Sequence, residues 1–117
     1  ILLVVFYLFP GSLLGLIFYK NISKQPQITQ DFTFISSNHI YAFFLLSILG
    51  LYSVKKLKNL TFYLICLSVI LELFHLIIPN RSFQKEDLIG NVVGVFLALL
   101  FFYLLNLTKK LINKIKI

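Results

Sequence analysis

Four long apolar stretches, separated by short polar segments, dominate the pattern of residues along this chain. They cover residues 1–19, 34–54, 60–78 and 88–107, and the second is long enough only if it begins near Phe32 or Phe34. A helix rises about 1.5 Å per residue, so roughly twenty apolar residues cross the hydrocarbon core of a bilayer. Backbone groups find no water there, which favours helices throughout. The pattern therefore predicts an all-α, polytopic membrane protein, with four transmembrane helices in a small bundle with short loops, as a single transmembrane domain over residues 1–117.

Two features are expected to shape the packing of these spans. Pro10 and Gly11 interrupt the first span and predict a kink, which a membrane helix tolerates when neighbours satisfy the freed carbonyl groups. Gly11 and Gly15 are four residues apart, and so are Gly90 and Gly94. This spacing allows two helices to approach closely.

Composition supports the membrane interpretation. The chain is 59% hydrophobic and only 13% charged, against about a quarter charged in globular proteins. The net charge of +7 comes from basic residues that mostly lie just beyond the apolar stretches. Charge in that position sets topology and contacts lipid headgroups, so no nucleic-acid partner is expected. Cys66 is the single cysteine, which excludes a disulfide bond within the chain.

The lysine distribution predicts the orientation in the membrane. Seven lysines lie between the second and third spans or after the fourth span, and four basic residues lie in the other two loops. By the positive-inside rule the lysine-rich side is cytoplasmic. Both termini are therefore predicted to be cytoplasmic, with residues 79–87 outside. The seven lysines are Lys55, Lys56, Lys58, Lys109, Lys110, Lys114 and Lys116.

Polar residues concentrate between positions 72 and 94. Glu72 and His75 share one helix face, which Pro79 is expected to end, and Asp87 and Asn91 share a face of the next helix, where Asp87 stands at the expected N-cap. A short loop makes the two helices antiparallel, so these faces can meet. Arg81 is then expected between the two carboxylates, where its guanidinium would neutralise them.

His39 lies at the same level, at the outer start of the second span, as either an interfacial anchor or a member of this group. The group has two alternative interpretations, a structural clasp or an outer-leaflet pocket that binds an anionic headgroup or performs acid–base chemistry. A metal is not expected, because the sequence has no paired-histidine motif and Arg81 would repel a cation. No cofactor motif is present.

These residues resemble the VanZ-like family of small bacterial membrane proteins. The family pattern is Glu-x-x-Gln, a proline, Arg-Ser, and Asp-x-x-x-Asn-x-x-Gly. A second signature, Asp-Lys-x-x-His, is matched here only by His39, because Ile35 and Ser36 replace the aspartate and lysine, and Phe43 stands where the family has tyrosine. The residues that match the first pattern are Glu72, Pro79, Arg81, Ser82, Asp87, Asn91 and Gly94, with His75 in place of glutamine.

The resemblance implies a role at the bacterial cell envelope, in the cytoplasmic membrane. The family is named for an accessory protein of a glycopeptide-resistance cluster and is associated with reduced sensitivity to teicoplanin. The leading hypothesis is recognition of an envelope component such as a lipid-linked phosphate. The alternatives are a small structural or accessory subunit of a larger membrane complex, and an enzyme that uses Glu72 or His75 as acid or base. The expected partners are membrane lipids and other membrane subunits, and the candidate ligand-binding residues are His39, Glu72, His75, Arg81, Asp87 and Asn91.

Overall fold

The computed structural model describes residues 1–115, and the regular secondary structure of this part of the chain is α-helical. It contains no strand, only an isolated bridge between Phe32 and Ile35. The all-α prediction is therefore confirmed for these residues. Lys116, one of the lysines in the orientation argument, lies outside the described residues. The five helices are α1 (Leu2–Leu8), α2 (Leu13–Tyr19), α3 (Ser37–Ser53), α4 (Leu57–Phe74) and α5 (Lys85–Ile115).

The predicted four membrane spans are confirmed only in part. Over the described residues, α4 and α5 are each long and apolar enough to cross a membrane. A third crossing is reached if α1 and α2, which are bent by 86° relative to one another, count as one broken span. With 17 residues, α3 rises only about 26 Å, less than the core of a typical bilayer.

The helix boundaries also differ from the predicted spans. In the second predicted span, helix α3 begins at Ser37 rather than near Phe34, because residues 20–36 form an extended connection with local turns. In the third predicted span, helix α4 ends at Phe74, five residues before Pro79. The chain then continues as tight turns with hydrogen bonds such as Leu76 N–H to the Leu73 carbonyl. In the fourth predicted span, helix α5 begins at Lys85 and continues to Ile115, well past the end of the apolar stretch.

The break between α1 and α2 is sharper than the predicted kink. Gly11 adopts a φ of +100°, which L side chains rarely accept, and Ser12 caps α2 by accepting a hydrogen bond from the Gly15 amide at 2.9 Å. A Cβ on Gly15 would lie 1.6 Å from the Lys24 carbonyl oxygen. These two glycines therefore serve a turn and a loop contact, and not the helix–helix contact that their spacing suggested.

Helix α5 packs most extensively against α3 and less against α4. A Cβ on Gly90 would lie 2.6 Å from the Ser36 carbonyl oxygen, and one on Gly94 would lie 2.5 Å from that of Ile40. The predicted close approach at these two glycines is confirmed, with α3 as the partner. The α4–α5 hairpin forms as well, but α3 lies parallel to α5 and is its main neighbour. The buried core between the helices contains Tyr7, Phe43, Leu64, Leu71 and Val95.

The connection between α2 and α3 is fastened to the start of α3. Asp31 accepts a hydrogen bond from the Ser37 amide at 2.8 Å, and the Ser37 hydroxyl donates to the Thr29 carbonyl at 2.7 Å. Asn38 donates to the Pro26 carbonyl at 2.7 Å. An Asp oxygen on a free amide of a first turn is a stabilising cap. The connection is thereby held over the N-terminal ends of α3 and α5.

Candidate functional site

A buried group of polar side chains lies where the C-terminal ends of α1 and α4 meet the N-terminal ends of α3 and α5. We call it the polar cluster. Glu72 and Asn91 are fully buried, and His75 is 1% exposed. Burying such groups is costly unless they find partners, so their contacts determine what the cluster can do. The members are Tyr7, His39, Glu72, His75, Asp87 and Asn91.

Tyr7 lies at the centre of the polar cluster. Its hydroxyl donates to Asn91 Oδ1, and the phenol oxygen lies 2.7 Å from His39 Nδ1. Its ring stacks on His75 at a centroid distance of 5.9 Å and meets Phe43 edge to face at 5.7 Å. Phe43 stands where the family pattern has a tyrosine and therefore offers no hydroxyl. The phenol hydroxyl of this cluster is that of Tyr7, on α1. Tyr7 connects three other helices through one side chain.

The contacts of His39 determine which ring nitrogen carries the proton. The Tyr7 proton is donated to Asn91, so the phenol oxygen accepts from His39 Nδ1–H. Asn91 Oδ1 accepts from the same nitrogen at 3.0 Å. Nε2 then lies 3.4 Å from Asp87 Oδ2. In neutral His39 this pair would bring two lone pairs together, so a proton or another positive species is needed between them.

His75 and Glu72 form a second pair of the same kind. His75 Nε2 lies 2.9 Å from the Tyr7 carbonyl oxygen, which can only accept, so Nε2 carries a proton. Nδ1 lies 3.3 Å from Glu72 Oε1. That oxygen also accepts from the Gln84 amide at 2.9 Å. The pair therefore shares one further proton, on either the imidazole or the carboxyl group.

Arg81 does not lie between Glu72 and Asp87 as predicted. Its Nε donates to the Phe9 carbonyl at 3.2 Å, and its Nη2 donates to the Phe6 carbonyl at 3.4 Å. Within residues 1–115 the ion pairs of the two carboxylates are with the histidines alone. The guanidinium is thus bound to the backbone of α1, beside the polar cluster.

The break in α1 explains this placement. Pro10 has no N–H, so the Phe6 carbonyl lacks the partner it would have in a continuous helix. The carbonyls of Tyr7 and Phe9 are also left free where α1 ends. Arg81 donates to the carbonyls of Phe6 and Phe9, and His75 donates to that of Tyr7. The carbonyl groups freed by the break are thus satisfied by neighbouring side chains. Burial lowers the pKa of the Arg81 guanidinium, and the charges of Asp87 and Glu72 act in the opposite direction.

Asp87 is not the N-cap that its position suggested. Helix α5 begins two residues earlier, at Lys85, so Asp87 lies within the first turn. Its side chain is 15% exposed and faces His39. A carboxylate in a first turn is still favoured by the helix dipole. The position of Asp87 is therefore compatible with the helix while its carboxylate remains available to other groups.

Within residues 1–115, two buried atoms of the polar cluster have no hydrogen-bond partner, Glu72 Oε2 and Asn91 Nδ2. Such atoms are rare in folded proteins because each costs roughly 1–3 kcal/mol. In addition, His39, Glu72 and Asp87 bring one ligand-type atom each to within 4.8 Å of one another. The cluster is therefore not a fully paired clasp.

Two neighbouring cavities, which share lining residues, adjoin the polar cluster. One, the apolar chamber, has a volume of about 460 Å³ and lies among α1, α2 and α3. The other, the polar chamber, has a volume of about 240 Å³ and lies between the α2–α3 connection and the start of α5. The apolar chamber is lined by residues such as Leu3, Phe6, Leu13, Phe18 and Leu45, and the polar chamber by Gln27, Asp31, Gln84 and Asp87. Both are lined by Gln25, Asn38, His39, His75 and Arg81.

The structure thus brings His39, Glu72, His75, Asp87 and Asn91 together and keeps Arg81 beside them. Sequence reasoning missed Tyr7. The available signal was a tyrosine in an otherwise aliphatic and phenylalanine-containing run, three residues before a helix-breaking proline. A buried tyrosine hydroxyl requires a partner. Gln84 could not be recognised either, because its backbone amide, and not its side chain, donates to Glu72.

Comparison with known proteins supports the family resemblance of the sequence. No curated protein and no solved structure matches the chain. A sequence profile of the VanZ/LLP1 family matches residues 2–106, which include all members of the polar cluster. Because this match covers most of the 117 residues, the chain belongs to the VanZ/LLP1 family.

Proposed function

We propose that this protein recognises an amphiphile of the bacterial cell envelope, a lipid-linked phosphate, without transforming it. The headgroup occupies the polar chamber and part of the hydrocarbon chain occupies the apolar chamber. The observation that carries this proposal is that the two chambers share five lining residues. A ligand with one polar and one apolar end fills both, which matches the usual composition of small-molecule sites.

The residues at the junction suit a phosphate. Two of the five N–H groups of Arg81 donate to the carbonyls of Phe6 and Phe9, so three remain for a ligand. Gln25 adds a side-chain amide beside it, and Asn38 keeps one amide hydrogen after its bond to the Pro26 carbonyl. A guanidinium already oriented by the protein loses little freedom when it binds an anion. Asp31, also in this chamber, is already committed to the Ser37 amide.

The unpaired atoms favour recognition over the alternative of a purely structural or accessory subunit. A structural clasp is stable when all its buried polar atoms are paired, and the described part of the chain offers no partner to Glu72 Oε2 or Asn91 Nδ2. The proposed setting is the cytoplasmic membrane, with both termini inside and the chambers in the outer leaflet, as the lysine distribution predicts.

Lipid retention by the purified protein tests the proposal. Lipids that remain after detergent purification are identified by mass spectrometry and quantified per mole of protein. Ala42→Phe fills the apolar chamber from α3, whereas Leu49→Phe enlarges a residue of the same helix that is 60% exposed and outside both chambers. We expect a phosphate-bearing lipid in the unmodified protein and about tenfold less in Ala42→Phe, equivalent to 1.4 kcal/mol. Equal retention in the two variants, with unchanged melting, would refute the proposal.

A further inference from the structure

Three side chains of the polar cluster are arranged as ligands of one cation. They come from three helices, His39 from α3, Glu72 from α4 and Asp87 from α5, and their ligand atoms all lie within 4.8 Å of one another. His39 Nε2 and Asp87 Oδ2 are 3.4 Å apart. Imidazole nitrogen and carboxylate oxygen bind Zn²⁺ at about 2.0–2.2 Å, so neighbouring ligands of a tetrahedral site are about 3.3–3.6 Å apart. One pair already has this separation.

The free oxygen of Glu72 independently indicates a missing partner. Glu72 is fully buried, and its Oε1 is engaged by the Gln84 amide and by His75. Its Oε2 has no hydrogen-bond partner among residues 1–115. A buried carboxylate oxygen is stabilised by a donor or by a metal ion, and the described residues supply no donor to this one. The engagement of Oε1 also fixes the orientation of the carboxylate, as supporting contacts do around metal ligands.

The orientation of His39 has the same implication. Histidines that bind metals donate their other ring N–H to an oxygen, which directs the free lone pair at the ion. His39 Nδ1–H is directed at Tyr7 and Asn91, and this leaves the Nε2 lone pair facing Asp87. A cation between Nε2 and Oδ2 removes the repulsion that two facing lone pairs would produce.

The charge of the site favours a cation as well. The sequence predicted that Arg81 would neutralise the carboxylates and repel a metal, but its guanidinium is bound to the carbonyls of Phe6 and Phe9. Neither Glu72 nor Asp87 forms an ion pair with a lysine or arginine within residues 1–115. The two carboxylates and a neutral His39 carry a charge of −2, and the proton shared by Glu72 and His75 brings the whole cluster to −1, so the site attracts a cation.

We propose that His39 Nε2 and the carboxylates of Glu72 and Asp87 bind one divalent transition-metal ion. A mixed nitrogen and oxygen ligand set suits Zn²⁺ and Mn²⁺. His39 and Asp87 also line the polar chamber, so a further coordination position opens into it. This site goes beyond the proposed lipid recognition and does not depend on it, because metal binding is measurable without lipid.

The test uses the full chain, purified in detergent and stripped of metal with a chelator. Zn²⁺ is titrated by calorimetry, and Co²⁺ is added in a parallel experiment to record visible absorption from its d–d transitions. We expect one equivalent of Zn²⁺ per chain, a rise in Tm on binding, and Co²⁺ absorption typical of nitrogen and oxygen ligands.

Three variants each remove one ligand, His39→Gln, Glu72→Gln and Asp87→Asn. Each is expected to weaken Zn²⁺ binding by about 100-fold or more. The matched control is Glu86→Gln, which removes an exposed carboxylate next to Asp87 and should bind Zn²⁺ as the unmodified chain does. Unmodified protein that binds no Zn²⁺ below millimolar concentration would overturn the proposal, whatever the variants do. Binding that persists in all three variants would overturn it too.

Discussion

At the scale of single residues, the break in α1 determines the role of Arg81. A guanidinium near two carboxylates is expected to pair with them, and that expectation was wrong because two freed carbonyls, those of Phe6 and Phe9, compete for the donors of Arg81. The nearest opposite charge is visible in a sequence, whereas an unsatisfied carbonyl is created by the bend itself. A sequence therefore identifies the residue type needed at a site more readily than its partner.

Replacement of Arg81 should destabilise the protein through the backbone of α1. Arg81→Ala leaves the Phe6 and Phe9 carbonyls without donors, at about 1–3 kcal/mol for each buried group. Arg81→Lys should lose about half as much, because an ammonium group is not a planar fork that reaches both carbonyls. The free energy of unfolding, measured by SDS titration in mixed micelles, tests this order.

Two controls separate this explanation from a role in neutralising carboxylates. Lys85→Ala removes an exposed cation from the adjoining start of α5 and should change the stability little. Combining Glu72→Gln and Asp87→Asn with Arg81→Ala should give no rescue, because the unsatisfied groups are carbonyls. Recovery of stability in that triple variant would contradict the explanation.

Tyr7→Phe should also destabilise the protein although it keeps the aromatic ring. The ring contacts with Phe43 and His75 are retained, but Asn91 and His39 lose a common partner. The expected loss is about 1–3 kcal/mol, the cost of buried polar atoms without partners. Tyr103→Phe is the matched control, since that residue is 64% exposed on α5 and should change the unfolding free energy little. Similar values for the two variants would argue against a central role for the Tyr7 hydroxyl.

At the scale of helices, the apolar pattern predicted where the long helices lie better than where they begin and end. Helix α5 continues for eight residues beyond the predicted end at position 107, through Lys109 and Lys110, because lysine and leucine are good helix formers in water as well. Helix α4 stops at Phe74 although the apolar pattern continues to Ile78. The hydrophobicity of a segment indicates whether it is surrounded by water or by apolar groups, whereas the ends of a helix depend on local hydrogen bonds.

The packing partners of the helices were predictable only where small residues limited the choice. Gly90 and Gly94 indicated a close neighbour, but not that this neighbour is α3. Sequence adjacency favoured the α4–α5 hairpin, and the fit of side chains between helices cannot be seen in a one-dimensional pattern.

A side chain at position 94 should force α3 and α5 apart. A Cβ there would lie 2.5 Å from the Ile40 carbonyl oxygen and 2.9 Å from the Phe44 amide nitrogen, and backbone atoms cannot move aside as a flexible side chain can. Gly94→Ala should therefore cost about 1–3 kcal/mol despite the better helix propensity of alanine. The unfolding free energy in mixed micelles is the measurement.

Gly50→Ala provides the matched control on α3. Its added Cβ would meet only the side chain of Leu60, at 3.1 Å, which can rotate away. We expect this variant to be neutral or slightly more stable, by up to about 1 kcal/mol. A Gly94→Ala variant as stable as Gly50→Ala would show that α3 and α5 tolerate separation.

At the scale of the whole molecule, the polar cluster and the lysine-rich turn lie at opposite ends of the helices. The cluster gathers the start of α3, the end of α4 and the start of α5, whereas Lys55, Lys56 and Lys58 lie at the junction of α3 and α4. Helix α4 separates the two ends by 18 residues, or about 27 Å. The positive-inside rule therefore predicts that the cluster end faces outward.

Cysteine labelling in intact cells tests this orientation. In a Cys66→Ala background, Ser82→Cys lies in the exposed loop beside the polar cluster, and Asn59→Cys lies in the exposed first turn of α4 at the other end. A membrane-impermeant maleimide should label Ser82→Cys from outside, and should label Asn59→Cys only after the cells are permeabilised. Both variants replace exposed polar residues, so neither should disturb the fold. Labelling of Asn59→Cys alone in intact cells would reverse the orientation, and the chambers and the proposed metal site would then open toward the cytoplasm.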